Sequence, residues 1–281
     1  MYLVDYHIHT SLSADSKATV QDCCHRALAL GLREIGFANH LAVGDLDSQT
    51  FIPAFLRHSQ AVRDCQSKHP SIRIRLGLEV DYERPWEREI RSFLSRIEDA
   101  LDEPLDFVLG AVHKLRHRRI ITEESVRALL LEASPEALFR EYFLLLTKAA
   151  ESRLFDVIAH PDLIRRNSGS AIPHVPFEKY RGVAQEFLRQ LLNDGIALEI
   201  NTKGLRHPIC DVYPSRELLE LYFSLAETRC QIPLLTLGSD SHEAHDVGSG
   251  LQRAAQILST HGQPQVATFA RRKVQLVSAS G

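Results

Sequence analysis

Short runs rich in Val, Ile, Leu and Phe alternate with longer amphipathic stretches along nearly the whole of this 281-residue chain. A strand covered by helices on both faces reads as a continuous apolar run, so the alternation predicts parallel strands joined by helices. About seven such βα units can be counted, the strand-like runs ending in LVDYHIHT, IGFANH, IRLGLEVDY, FVLGAVHKL, FDVIAHPD, ALEIN and LLTLGSDSH. Right-handed crossovers close a series of this kind into a barrel or wind it as an open sheet. No Pro/Gly/Ser-rich linker or low-complexity segment divides the chain, so residues 1–281 are expected to form a single α/β domain.

Six of the seven runs end in histidines or carboxylates. His7 and His9 close the first, His40 the second, Glu79 the third, His113 the fourth, His160 the fifth, and Asp240 with His242 the seventh. In a barrel of parallel strands these ends converge on one rim, where the active sites of such folds are built. An open sheet would hold them apart, so the barrel is the expected form. His7 and His9 alternate along a strand and therefore face the same side, able to grip one cation through imidazole nitrogens. Metal-dependent hydrolysis suits such a rim.

The segments between the runs carry helix signals. Thr19 is suited to cap a helix to about Leu32, Pro53 to open one reaching His69, and Ser134 with Pro135 to open another; further helices are expected at 86–101, 177–193, 215–230 and 247–261. The tail FARRKVQLV is expected to add a strand. Five cysteines without C-x-x-C spacing, all but Cys210 in expected helices, read as apolar filler rather than disulfides. Net charge is −3, which supplies no pull toward long nucleic acid or a membrane surface and favours a small partner. No apolar run approaches the ~18 residues of a membrane span, and the first strand starts almost at Met1, so a cytoplasmic protein is expected.

The ordered segments HIHTSLSAD, FANH, GLEVDY, GAVHKL, IAHPDLI and GSDSH, spread from His7 to His242, resemble the polymerase and histidinol phosphatase (PHP) superfamily of metal-dependent phosphoesterases. The resemblance covers nearly the whole chain. It implies a distorted, TIM-like (β/α)7 barrel and three divalent metal ions, Zn, Fe or Mn. His7, His9, Glu79 and Asp240 would hold the first; Glu79 would bridge to a second held by His113 and His160; Asp15, His40 and His242 would hold the third. Three divalent ions against three ligand carboxylates leave a formal excess of three positive charges, which a bridging hydroxide and a phosphate dianion would balance. The implied reaction is in-line attack by that hydroxide on phosphorus, with Asp240 or His242 as candidate proton donors to the leaving alkoxide.

The segments IAHPDLIRR and EINTKGLRHP, and the long insertion between His113 and His160, look most like the histidinol phosphatase branch. L-histidinol phosphate, an intermediate of histidine biosynthesis, is therefore the expected substrate, and a small phosphorylated metabolite the expected partner, with no membrane or long nucleic acid and the oligomeric state left open. Arg165 or Arg166, together with Arg206, can offer guanidinium forks to phosphate; Asp45, Asp47, Glu83 and His207 are candidate contacts for the rest of the substrate. Lys114 is expected to be structural. His25, His58, His69, His117, His174 and His261 are expected to be ordinary, while His207 and His245 lie near the rim. Two departures from the family bear on substrate: Ser16 where many relatives have Gly, and Lys114 where many histidinol phosphatases carry an aromatic residue. Competing readings are a phosphoesterase for nucleotides or short oligonucleotides, an amidohydrolase barrel, which would want a bridging lysine on the fourth strand, and a non-catalytic interaction module stabilised by metal.

Overall fold

The computed structural model describes residues 2–45, 47–167, 170–262 and 265–278. Seven parallel strands follow one another around a single sheet in chain order: β1 (Val4–Ile8), β2 (Glu34–Leu41), β3 (Arg73–Asp81), β4 (Phe107–Ala111), β5 (Val157–Ile158), β6 (Ala197–Asn201) and β7 (Leu235–Gly238). The first and last strands meet through a parallel bridge between Ile8 and Ser241, with His9 N–H donating to Ser241 O at 2.9 Å. The result is a nearly closed barrel wrapped by helices.

A buried carboxylate fastens this seam. Asp5, wholly buried on β1, accepts from Ser239 N–H at 2.8 Å, Ser239 Oγ at 2.6 Å and Gly248 N–H at 2.8 Å. These three donors belong to the segment that follows β7, two of them to the residue directly after its end, so one side chain on the first strand fixes the chain where the last strand stops. Its apolar neighbours fill the floor, where the Tyr6 ring meets Phe107 and Phe269 edge-on at centroid distances of 4.9 and 5.4 Å.

The helices are α1 (Val20–Ala29), α2 (Ser48–Lys68), α3 (Glu87–Leu101), α4 (Glu123–Leu130), α5 (Pro135–Glu151), α6 (Arg181–Asp194), α7 (Arg216–Thr228) and α8 (Leu251–Thr260). Thr19, Ser134 and Ser215 cap α1, α5 and α7 through their hydroxyls, as their spacing predicts. Helix α2 begins earlier than Pro53, because Asp47 caps it by accepting from Gln49 N–H; Pro53 then lies inside the helix and forfeits one backbone bond. Helix α4 lies in the long segment between His113 and His160 and adds to the helices expected from the sequence.

Other boundaries also shift. The expected strand from Phe107 to Leu115 stops at Ala111, and Lys114–Leu115 instead pairs with Arg118–Arg119 in a small antiparallel hairpin. The tail forms the turn and second arm of another antiparallel hairpin, β8 (Gln265–Ala270) with β9 (Lys273–Ser278), which joins no barrel strand. Phe269 anchors it under the barrel by donating its N–H to Tyr6 Oη, and Arg272 pairs with Asp156. Cys23, Cys24 and Cys65 are buried, but Cys230 lies beyond the end of α7 and, like Cys210, is exposed. No described helix is long and apolar enough to cross a membrane.

Candidate metal centre

The rim gathers its polar side chains because each lies near or just beyond the C-terminal end of a strand. His7 and His9 project inward from β1 and just beyond it, with no exposed area; Glu79 lies near the end of β3 and His40 near that of β2. His113, His160, Asp240 and His242 occupy the turns immediately after β4, β5 and β7, and Asp15 comes from the loop after β1. His160 and Asp240 have positive φ, 28° and 52°, a conformation that β-carbons disfavour and that is tolerated where neighbouring contacts over-determine it. All nine residues named from the sequence come together.

Glu79 is the hub. Its Oε2 lies 3.4 Å from His7 Nε2, 3.6 Å from His9 Nε2 and 2.7 Å from His40 Nδ1, while Oε1 lies 3.5 Å from His113 Nε2 and 2.7 Å from His160 Nε2. Asp240 Oδ1 stands 3.5 Å from His9 Nε2 and 4.0 Å from His7 Nε2, and Asp15 Oδ2 stands 3.4 Å from His40 Nε2 and 3.2 Å from His242 Nε2. Two ligands each about 2.1 Å from one tetrahedral ion are separated by about 3.4 Å. Most of these separations therefore match edges of a coordination polyhedron rather than direct hydrogen bonds; of the two contacts at 2.7 Å, His160 Nε2 with Glu79 Oε1 is a hydrogen bond and His40 Nδ1 with Glu79 Oε2 is an ion pair without hydrogen-bond geometry.

Three sets of donor atoms close enough to share an ion are found among the described residues: His7, His9 and Asp240; His7, Glu79 and His160; and His9, His40 and His242. His7 Nε2, His9 Nε2 and Glu79 Oε2 are buried with no hydrogen-bond partner. Buried polar atoms are seldom left so, and a cation at their meeting point would satisfy all three. The residues fit divalent metal.

Behind this ring lies a second set that the sequence reading missed. His7 Nδ1 is 2.7 Å from Glu199 Oε1, and His113 Nδ1 is 2.5 Å from Asp81 Oδ1, each carboxylate turning its imidazole so that Nε2 faces the cluster. Glu199 also accepts from His160 N–H at 2.7 Å and from Asn201 Nδ2 at 3.1 Å. Burial alone would lower the imidazoles, yet Glu199, Glu79 and Asp240 raise His7 well above its usual value, and Glu79 with Asp15 raises His40 to about 10. His9, buried among other imidazoles, is pushed well down instead. Glu79 and Asp240 stay well below the ordinary carboxylate range despite burial, held there by His7 and by Lys203 respectively among their neighbours.

A pocket of about 650 Å³ opens over the cluster, in the size range of small-metabolite sites. Arg166 lines it and Arg165 does not; Arg165 turns away to Asp162 at 3.1 Å and Asp211 at 3.0 Å. Arg206 also lies outside the lining, donating from Nη2 to Ser239 O at 2.8 Å with its Nε 3.4 Å from Asp246. His207, near Arg166 and Lys203, is lowered to about 4 by burial and by those charges. Lys114 ties Asp45 and Glu83 together at 3.0 and 2.9 Å, and Asp47 caps α2, so three of the proposed substrate acceptors already have partners. His245 is exposed beside Glu243. The unforeseen member is Lys203, whose Nζ sits 2.7 Å from Asp240 Oδ1 and 3.2 Å from His242 Nδ1.

Comparison with known proteins agrees with this geometry. A probable histidinol-phosphatase of Deinococcus radiodurans is 30% identical over 279 residues, covering 97% of this chain and 98% of that protein. The histidinol-phosphatase of Lactococcus lactis subsp. lactis is 27% identical, covering 98% and 97%. The crystal structure of histidinol phosphate phosphatase from Lactococcus lactis, complexed with zinc, L-histidinol and phosphate, superposes with a TM-score of 0.78 at 26% identity over 97% of this chain and 98% of that one. A putative histidinol phosphatase from Listeria monocytogenes shares the fold, with a TM-score of 0.75 at 22% identity over 89% and 99%. The PHP domain family matches residues 5–203, the segment that supplies every cluster member except Asp240 and His242, and the chain belongs to that family.

Proposed function

We propose that the protein is a metal-dependent phosphomonoesterase that hydrolyses L-histidinol phosphate to L-histidinol and phosphate. One observation carries the reading: nine potential ligands, several with buried unsatisfied donor atoms, cluster at one pocket that seven of them line, in a chain that is similar from end to end to a phosphatase solved with zinc, histidinol and phosphate. His7, His9, Glu79 and Asp240 would hold one ion, Glu79, His113 and His160 a second, and Asp15, His40 and His242 a third. Bound there, Zn, Fe or Mn would acidify the attacking water and neutralise the phosphoryl oxygens.

The chain's own groups supply orientation. Arg166 has no acceptor among the described residues, so its guanidinium is available as a two-pronged donor to phosphate. Lys203 adds a second fixed positive charge at the pocket wall. Asp240, held ionised by its cationic neighbours, can take the proton released by the attacking water, and it or His242 beside it can return that proton to the leaving alkoxide.

The test is a panel of histidinol phosphate, AMP, a nucleoside bisphosphate and a short RNA, run on metal-analysed protein. A kcat/KM preference of about 100-fold or more for histidinol phosphate, with three metals per chain, is expected. A preference for a nucleotide overturns the substrate, and fewer metals at full activity overturn the trinuclear site. If metal raises the melting temperature but no ester is cleaved, the protein is an interaction module. In oxygen-18 water under single turnover, label is expected in phosphate.

A further inference from the structure

Two of the inner imidazoles have a carboxylate behind them, Glu199 for His7 and Asp81 for His113, but His9 is backed differently. Its Nδ1 faces Ser13 Oγ at 3.3 Å. For Nε2 to present a lone pair to a cation, the proton must sit on Nδ1, so Ser13 must accept there. A serine hydroxyl both donates and accepts, and something else has to decide which way it turns.

Asn39 makes that decision. It is wholly buried at the end of β2, one residue before His40. Its Oδ1 accepts from Thr10 N–H at 2.8 Å and Thr10 Oγ1 at 3.1 Å, and lies 3.1 Å from Ser13 Oγ. Flipping the amide would set its NH₂ against the Thr10 N–H, donor against donor, so the oxygen has one orientation. With the Ser13 proton drawn to Asn39 and its lone pairs accepting from His40 N–H at 3.0 Å, Ser13 can only accept from His9. On the far side, Asn39 Nδ2 donates to His58 Nε2 at 3.2 Å. Thr10 Oγ1, its proton already given to Asn39, accepts from His58 Nδ1–H at 3.4 Å. Each hydroxyl and ring N–H in the chain then has an acceptor, and His58, on α2 and buried, stays neutral.

We propose that Asn39, anchored by His58, is a positioning residue that places the proton of His9 on Nδ1 and so reserves Nε2 for metal. The inference rests on reading the cluster as a metal centre and not on which phosphate ester is cleaved. The backing is uncharged. It orients His9 without adding a third buried carboxylate behind a site that already holds Glu199 and Asp81.

The experiment is nitrogen-15 NMR of histidine-labelled, metal-free protein, read together with zinc affinity from chelator competition. Wild type is expected to show His9 protonated on Nδ1 and bare on Nε2. Asn39→Leu should mix the tautomers and weaken zinc binding about tenfold or more, the range found for partners behind metal ligands. Asn39→Asp keeps the acceptor oxygen and should restore the Nδ1–H tautomer; His58→Leu, which frees the amide without removing it, should give a smaller loss if Asn39→Leu does not fold. An Nε2–H tautomer in wild type, or a wild-type tautomer and affinity in both leucine variants, overturns the proposal. Because the tautomer is read without metal, its failure is distinguishable from failure of the protein to bind zinc at all, which would overturn the metal-centre reading as well.

Discussion

Glu79 shows how much one side chain can carry. Five imidazoles surround its two oxygens, and with 1% of its area exposed it has no recourse to water. Glu79→Gln keeps the shape but removes the negative charge that a shared pair of cations needs. It should lower kcat by at least about 100-fold, beyond the usual effect of a partner behind the ligands, while circular dichroism stays unchanged. Activity within a few-fold of wild type would contradict the bridging role. His58 gives a separable prediction at the same scale. Burial lowers it to about 4, so below the unfolded value of 6.5 the unfolded chain takes up a proton that the folded chain does not. The stability this group contributes is fully present above pH 6.5 and is lost as pH falls toward 4. Metal-free wild type should therefore lose about 3 kcal/mol more than His58→Gln between those two pH values in denaturant titrations. Parallel curves for the two proteins would count against a neutral buried His58.

Elements explain what could be read before any coordinates and what could not. The strands were legible because burial on both faces leaves continuous apolar runs, and the clustering of the nine candidate residues was legible because they lie at or just after the ends of those runs. Glu199 was missed as a lone acid inside the run ALEIN, and Asp81 because it stands two residues beyond Glu79 in GLEVDY, where Glu79 already supplied the expected carboxylate. The signal was there: a charge in a strand with no wet face must find a partner, and an inward-facing histidine is the natural one. Adjacent residues of a 3₁₀ turn point about 120° apart, which is how Leu163–Asn167 sends Arg166 to the pocket and Arg165 to Asp162 and Asp211; the sequence spacing alone leaves the two equivalent. The tail hairpin depends on contacts with Tyr6 and Asp156 far away in sequence, to which local pattern is blind. Asp5 belongs to the same class. Asp5→Ala would strand the Ser239 and Gly248 N–H groups at the barrel seam, at about 1–3 kcal/mol for each unsatisfied donor. It should lower stability by roughly 3 kcal/mol and weaken metal binding at the neighbouring Asp240; a variant as stable as wild type would show that the seam closes without it.

At the scale of the whole molecule, the metal centre and the barrel depend on each other. The nine side chains come from positions 7 to 242, on or after six of the seven strands, and no short unfolded segment can present them together. Metal therefore binds the folded state far better than the unfolded one, and by mass action it stabilises the barrel by about 4 kcal/mol per site at a thousandfold excess over Kd. For a chain of this size each kcal/mol moves the melting temperature by roughly 2–4 °C, so filling even one site should raise it by on the order of 10 °C. Without metal, the ring keeps its shape through its own charges, Lys203 against Asp240 and His40 against Glu79 and Asp15, so the stripped protein should still fold and melt cooperatively. Calorimetry of chelator-treated protein, then of the same sample with zinc or manganese restored, tests both parts. A melting temperature indifferent to metal would mean that the cluster is held by its ion pairs alone, and the orphaned nitrogens of His7 and His9 would then have no explanation in metal binding.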